Sequence, residues 1–407
     1  MKRYSIGIVG AGMGGLAAGA LLARAGHSVT LVEQFQNAGP VGSGLVLQPV
    51  GLAVLDQIGA GDPARSLAAP ITHMLGHAGV RAVLDVRYAP GAPGLAMHRA
   101  ALFAVLWDAA IAAGVAVKTA AHVTGAPQDG GIRWIALQDG HRLGPFDLVV
   151  DASGAGSLLS PLKARLLPFG AVWGHVPWPR ETNFAPNQLI QRYLGAHRMA
   201  GVLPIGSLPD DPTPRAAVFW SMPRADLAKW STRNQDDWRA EVVAFWPDMA
   251  AFVLQAPLMT PALYSHGTLR RPYEPALAFI GDAAHRASPQ LGQGANMALL
   301  DAMALATAIA TCDLEDALPR YAALRRWHVR SYQGMSAAFT PMYQSHSRLL
   351  PRIRDHVLAP MAKLPPVRAV LTRLVSGTLM PPLASTNWPR QDTDVRQTAK
   401  PLGGSHA

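Results

Sequence analysis

Tyr4-Ser5-Ile6-Gly7-Ile8-Val9-Gly10-Ala11-Gly12-Met13-Gly14-Gly15 stands at the start of the chain, and its reading decides the fold. Tyr4 to Val9 is a short apolar run of strand length, and Gly10 to Gly15 is a glycine-dense turn. Leu16 to Ala25 is rich in helix-forming Ala and Leu and is closed by Gly26. Ser28 to Val32 then returns as a β-branched strand. Gly10, Gly12 and Gly15 spell G-x-G-x-x-G between strand and helix, with the acidic Glu33 at the end of the next strand, which is the context of a dinucleotide-binding unit. Gly10 allows the tight turn, Gly12 lets backbone approach a pyrophosphate, and Gly15 permits close packing of helix on strand. The helix amino terminus offers unpaired N–H groups and a positive dipole end to phosphates. Glu33 is placed to accept hydrogen bonds from ribose hydroxyls, and its charge disfavours a 2′-phosphate, so this first site is not expected to hold NADP.

The chain around this unit has 407 residues, enough for two or three domains with a sizeable core. Its 49% hydrophobic content excludes wholesale disorder, and 38 glycines with 34 prolines argue against a coiled coil or long bundle. The single cysteine, Cys312, excludes an intramolecular disulfide, and no tight Cys/His cluster marks a zinc site. The amino terminus lacks the unbroken apolar stretch of a signal peptide, so a cytoplasmic protein is expected. Two apolar runs, Ala100 to Val117 and Ala295 to Cys312, approach membrane-spanning length. Each carries an aspartate (Asp108, Asp301) that is costly in lipid, and both read as buried helices. The net charge of +10 is spread thinly up to about residue 320, which reads as a basic surface rather than a nucleic-acid-binding tract.

Further along, Ile71 to Tyr88 alternates on either side of Gly79 and predicts a β-hairpin. Arg99 to Ala113 is helical, with strands near Val115 to Lys118 and Leu148 to Val150. From Gly170 to Leu269 the pattern is strand-like and aromatic, as in Gln188 to Tyr193, Ala200 to Ile205 and Ala216 to Met222, with a helix over Gln235 to Trp246. Ala276 to Ile280 is a buried strand and Gly294 to Thr311 a long buried helix. Beyond Ser331, basic amphipathic helices lead to a polar, disordered tail from Gln391 to Ala407. α/β material thus flanks a β-rich insertion.

A second signature runs Phe279-Ile280-Gly281-Asp282-Ala283-Ala284-His285, then Ser288-Pro289-Gln290-Leu291-Gly292-Gln293-Gly294-Ala295-Asn296-Met297. Asp282 follows a buried strand, placed to bind a polyol. The glycine-rich stretch leads into a helix whose amino terminus suits an anion or an electron-rich carbonyl. With both signatures on the page, residues 1 to about 330 resemble the class A FAD monooxygenases, the flavoprotein aromatic hydroxylases of the p-hydroxybenzoate hydroxylase type. The resemblance implies an α/β fold: a Rossmann-like FAD-binding domain of glutathione reductase type, an interleaved β-sheet substrate domain, and C-terminal helices. It divides the chain into an FAD-binding domain (1–68, 95–165, 270–330), a substrate domain (69–94, 166–269), a helical region (331–390) and the tail (391–407). It implies that Gly10, Gly12, Gly15 and Glu33 hold the ADP half of FAD, with Val123 beside the adenine. Arg99 is assigned to the phosphates or ribityl chain, and Val41 to Leu45, Gly44 included, to a loop along the isoalloxazine. Asp282 takes the ribitol hydroxyls, and Pro289, Gly292, Gly294, Ala295 and Asn296 line the flavin ring. His285 is expected to be structural.

The activity implied is insertion of one oxygen atom from O2 into an aromatic, quinoid or polyketide-like molecule through a flavin C4a-hydroperoxide, with NADH or NADPH as reductant. Tyr193, Phe219 and Trp220 are candidates for an apolar wall over the flavin, with ordinary sheet packing the preferred reading of each, so none is taken as a site. The pattern departs at Asp151-Ala152-Ser153-Gly154-Ala155-Gly156, where Ser153 stands for the family's aspartate and Gly156 for its usual arginine. That form also resembles the geranylgeranyl reductases, which keeps an FAD-dependent reductase without oxygen insertion as the alternative. Flavin halogenases are set aside: no lysine lies between Arg3 and Lys118, and their Trp-x-Trp-x-Ile-Pro motif is absent. The spaced cations Arg348, Arg352, Arg354, Lys363, Arg368 and Arg373 among apolar residues suggest weak peripheral membrane contact, against the plainer reading of a helical cover.

Overall fold

The computed structural model describes residues 2–384 except 38, 40, 41, 255 and 258. The opening segment forms the strand Ser5–Val9, the helix Met13–Arg24 and the strand Ser28–Val32. Ser5–Val9 lies inside a six-stranded sheet in the order Tyr273–Glu274, Leu277–Phe279, Leu148–Asp151, Ser5–Val9, Ser28–Val32, Ala116–Lys118. All its pairs are parallel except the edge strand Tyr273–Glu274. Alternation of side chains in a strand assigns its two faces. Ile6, Ile8, Val29, Leu31, Leu148 and Val150 pack on the helices Met13–Arg24, Arg99–Ala112 and Gly294–Thr311. The other face, with Val149 and Phe279, is covered by Ile135, Leu137 and Phe146 of a small antiparallel sheet spanning residues 123–146.

The β-rich insertion builds an eight-stranded sheet in the order His285–Arg286, Thr260–Thr268, Arg165–Pro177, Arg215–Pro223, Arg198–Pro204, Gln188–Leu194, His73–Ala78, Arg81–Arg87. The hairpin at Gly79 joins its last two strands. One face carries Val172, Val202, Val218 and Trp220 and is buried under Trp230, Trp238 and Phe252 of short helices. The opposite face carries Tyr193, Leu203, Ala217, Phe219 and Trp173 and meets Val46, Tyr343 and Val375. Trp220 therefore points away from the wall that Tyr193 and Phe219 share, because a neighbour in a strand faces the other side.

A three-stranded sheet, Gly44–Leu47, Gly94–His98 and Ala69–Ile71, lies between these two bodies. Gly294–Thr311 is the one helix, among the described residues, long and apolar enough to cross a membrane, and 56% of it is buried inside the fold. Beyond it a single helix runs from Leu314 to Tyr343, so the boundary expected at residue 331 falls inside a continuous element. Pro319 and Pro341 do not break it, because a buried stripe of Leu318, Tyr321, Leu324, Val329 and Tyr332 packs it along its length. Short helical segments between Leu350 and Met361 and the helix Pro365–Val375 complete the described chain. The tail expected from residue 391 lies outside the described residues.

Candidate cofactor and active site

Three parallel neighbours, Ser5–Val9, Leu148–Asp151 and Leu277–Phe279, end on the same sheet edge, so the segments that follow them emerge together. Gly10 N–H donates to Val32 O at 2.8 Å, Ala152 N–H to Val9 O at 2.8 Å, and Ile280 N–H to Asp151 O at 3.0 Å. Gly10 has φ +100°, and a Cβ there would sit 2.7 Å from Ala152 O. A Cβ on Gly15 would lie 2.0 Å from Gly10 O, so the helix rests directly on the turn. Gly14 and Gly281 both face Ala298, at 3.3 and 3.1 Å from their would-be Cβ atoms to its Cβ. Contacts this close need residues without side chains, and they bring the two glycine signatures together on either side of one helix pair.

Over the turn lies a cavity of about 500 Å³ whose lining includes Gly10, Gly12, Glu33, Arg99, Val123 and Ser153. Gly12 precedes the first turn of Met13–Arg24, which has no side-chain cap and no acidic residue, leaving its N–H groups open to an anion. Glu33 is buried, and its carboxylate accepts from Ala11 N–H at 2.8 Å and Phe35 N–H at 3.1 Å. Part of its hydrogen-bonding capacity is thus spent on holding the turn, and its remaining lone pairs face the cavity.

Ser153 explains the departure in the third motif. Asp151 is fully buried at the end of its strand and accepts from Ser153 N–H and Oγ and from Ser157 Oγ. Burial pushes the Asp151 carboxyl up, against the pull of these donors. An aspartate at 153 would replace a donor by a second carboxylate.

Arg99 joins the two halves. It lines the cavity, its N–H donates to Ser43 O at 2.8 Å, and a Cβ on Gly42 would meet its Cδ at 2.9 Å. Burial lowers the guanidinium's pKa, and Asp282 and Tyr264 act against that shift. Asp282 is exposed at its surface, yet the protein packed around its carboxyl raises it by desolvation, and His285, Arg99 and Arg286 pull it back. Tyr264, whose hydroxyl accepts from Trp173 Nε1 at 2.7 Å, is pushed up to about 12 by burial and stays protonated.

The second signature does not line the same cavity. Pro289 and Gly292, which has φ +61°, form the turn before Gly294–Thr311, and Gly294 and Ala295 are that helix's first residues. Two of the expected flavin contacts also hold the fold together. Asn296 is fully buried, its Oδ1 accepting from Gln48 N–H at 2.8 Å and its Nδ2 donating to Val46 O and Gly292 O, so its side chain ties strand to helix and only its backbone is left to meet a ring. A Cβ on Gly44 would strike Ile205 Cγ2 at 2.4 Å and Ala217 Cβ at 2.9 Å, so packing against the large sheet is what requires glycine there. Val41 lies outside the described residues.

His285 is held inside the protein. Its Nε2 is 2.7 Å from Asp301 Oδ2, which also accepts Gly281 N–H at 2.9 Å, while Arg325 Nε donates to Asp301 Oδ1 at 2.7 Å. Asp301 therefore anchors the turn that presents Asp282. An aspartate inside an apolar helix was its signal in the sequence, but Arg325 and Tyr264 carried none.

A cradle closed to side chains, open helix amino termini, a ribose-type acceptor, and an arginine and an aspartate farther along that feel each other's charge fit an extended dinucleotide such as FAD. The family model described as FAD binding domain matches residues 3–329. The chain is 26% identical over 350 residues to a 3-hydroxybenzoate 6-hydroxylase of Klebsiella oxytoca, covering 75% of this chain and 80% of that one. It is 29% identical over 354 residues to a putative 2-heptyl-3-hydroxy-4(1H)-quinolone synthase of Rhodococcus erythropolis, covering 81% and 86%. The solved structure of Klebsiella pneumoniae HpxO with FAD and uric acid superposes with a TM-score of 0.78 at 20% identity, covering 92% and 98%, a likeness of fold.

Proposed function

As a member of the FAD-binding-domain family and an FAD-dependent monooxygenase, this chain inserts oxygen into a small aromatic molecule, and we propose that the residues gathered around Arg99 hold the flavin for it. The single observation that carries the site assignment is that Arg99 lines the Gly10–Glu33 cavity and lies within the electrostatic influence of Asp282. When bound and reduced by NAD(P)H, FAD supplies the activation of O2 for this transfer. Gly12 and the following helix amino terminus take the pyrophosphate, Glu33 a ribose, and Val123 the adenine edge. Arg99 balances phosphate charge, and Asp282 accepts from the polyol. The open N–H groups at Gly294 and Ala295 face the electron-rich end of the ring system.

The eight-stranded sheet turns an apolar face inward, with Leu203, Ala217, Phe219 and Trp173, and this excludes water from the reacting centre. That surface favours an apolar aromatic or quinoid substrate. The relatives named for 3-hydroxybenzoate and a heptyl-quinolone support the same class. The reductase alternative rested on Ser153, whose bonds to Asp151 give it a local reason. The domain assignment follows: the parallel sheet for cofactor, the large sheet for substrate. A cytoplasmic enzyme with a weakly membrane-binding C-terminal face completes the reading. Purified protein is expected to show a flavin spectrum and to place one labelled atom from ¹⁸O2 in the product. A reduced or dehydrogenated product without label would reject it.

A further inference from the structure

Phe35 is 53% exposed and is the one apolar residue in the exposed stretch Gln34 to Asn37. Of the large apolar side chains left exposed among the described residues, only Phe35 and Leu158 line the cavity over the Gly10 turn. A single exposed apolar residue on an open surface needs no explanation, but an aromatic one at the rim of a ligand-sized cavity does.

The backbone fixes where this residue stands. Phe35 N–H donates to Glu33 Oε1 at 3.1 Å, and Phe35 O accepts from Ala120 N–H at 3.1 Å. Glu33 joins the same crossing: its N–H donates to Lys118 O at 2.8 Å, and its backbone O accepts from Ala121 N–H at 2.9 Å. Residues 33–35 are thus laced to residues 118–121, and the turn between the bonds holds Ala120 at φ +53°. The lacing brings Phe35 and the lining residues Ala121, His122 and Val123 to one end of the cavity.

Glu33 marks that end as the ribose end, and the base of an adenosine is bonded directly to its ribose. A flat heteroaromatic base stacks on a phenyl face and gains apolar burial there. Phosphate gains nothing from a phenyl ring and is served by Arg99 and the helix amino terminus. We propose that Phe35 stacks on the adenine of FAD and determines how firmly the whole cofactor is retained. The inference rests on the assignment of Gly12 and Glu33 to the ADP half. It adds a residue that acts by aromatic contact, where the others act by hydrogen bonding, charge or lack of a side chain.

Apoprotein is titrated with FAD, following flavin fluorescence. Phe35→Ala is expected to raise the FAD dissociation constant by about tenfold or more, the range of base stacking on an aromatic side chain, and Phe35→Tyr to restore it. The apoproteins are expected to melt together, because half of Phe35 is already uncovered before the cofactor binds. An unchanged dissociation constant in Phe35→Ala, or a loss that Phe35→Tyr shares, overturns the proposal. Should Phe35→Ala apoprotein melt below wild type, Phe35→Leu is read against Phe35→Tyr in the same titration, with weaker FAD binding expected for leucine and equal binding overturning the proposal. Wild-type apoprotein that takes up no FAD overturns the ADP-site reading and this inference with it. FAD held through Phe35 without oxygen incorporation would strike the monooxygenase reading alone.

Discussion

At the scale of single residues, the tightest constraint is Gly15, whose missing Cβ would sit 2.0 Å from the backbone oxygen of Gly10. Neither partner can swing aside, so Gly15→Ala is expected to cost at least about 2 kcal/mol and to lower retained flavin. Thermal unfolding and the flavin-to-protein absorbance ratio check this. Ser153→Asp restores the residue that the family resemblance expects, yet it sets a second carboxylate beside the buried Asp151. Like charges at that spacing raise a carboxyl further. We expect a loss of about 1–3 kcal/mol that grows as pH rises through the carboxylate range, and an unchanged denaturation midpoint at every pH would refute the account. Gly10 and Gly15 were legible in the sequence because a tight turn and a close approach of backbone each demand glycine at one place. The inward bonds of the Asn296 side chain were not legible, because spacing locates a residue without saying which way its side chain turns. Tyr264 was invisible, since its environment is assembled from strands and helices far apart in the chain.

At the scale of elements, the Gly294–Thr311 helix shows how a buried charge organises its surroundings. Burial pushes the Asp301 carboxyl up, but His285 and Arg325 outweigh it and hold it at about 2. Asp301→Asn leaves Arg325 uncompensated and is expected to cost about 3–5 kcal/mol. The same network brings a pH dependence. His328, packed by Arg325 with its Nε2 3.1 Å from Gly377 O, is lowered to about 3, mainly by burial and then by Arg325. A histidine lowered on folding binds more protons when unfolded. Its stabilising contribution is complete above about pH 6.5 and is lost as pH falls from there towards 3. Asp301 acts in the same direction over a lower window, from its ordinary 3.8 down to about 2. Urea unfolding at pH 7 and pH 4.5 should therefore differ by about 1–3 kcal/mol, with the acid side weaker, and His328→Gln should reduce the difference. The ends of this helix and of the Gly79 hairpin could be read directly, because glycine and the change of apolar period mark them. The helix Leu314–Tyr343 could not, because the boundary expected at residue 331 falls where a buried stripe carries the helix straight on.

At the scale of the whole molecule, the C-terminal layer sets an uneven surface beside the site. Leu349, Val357, Met361, Leu364 and Val370 are all exposed, with Arg348, Arg352, Lys363, Arg368 and Arg373 exposed among them. The one acidic residue from Arg348 to Arg373, Asp355, is held by Arg354 at 2.7 Å. Apolar side chains in a field of unopposed cations match an anionic bilayer surface better than bulk water. The layer is fixed to the body: Thr372 Oγ donates to Arg87 O at 2.8 Å, and Gln293 Nε2 donates to Val375 O at 3.0 Å, just before the Gly294 helix. A face that touched lipid would thus lie next to the loop carrying Gln290, where a greasy aromatic molecule has a short path inward. Each cation near such a surface contributes about 1 kcal/mol. Arg352, Lys363 and Arg368 together changed to glutamate should then lower partitioning onto phosphatidylserine-containing vesicles by about a hundredfold or more. Wild-type binding should fade with added salt and be weak on neutral phosphatidylcholine, because the attraction is screened and has no countercharge there. If the wild-type protein stays in the supernatant with anionic vesicles at low salt, these side chains serve as a helical cover, and the substrate must enter from water.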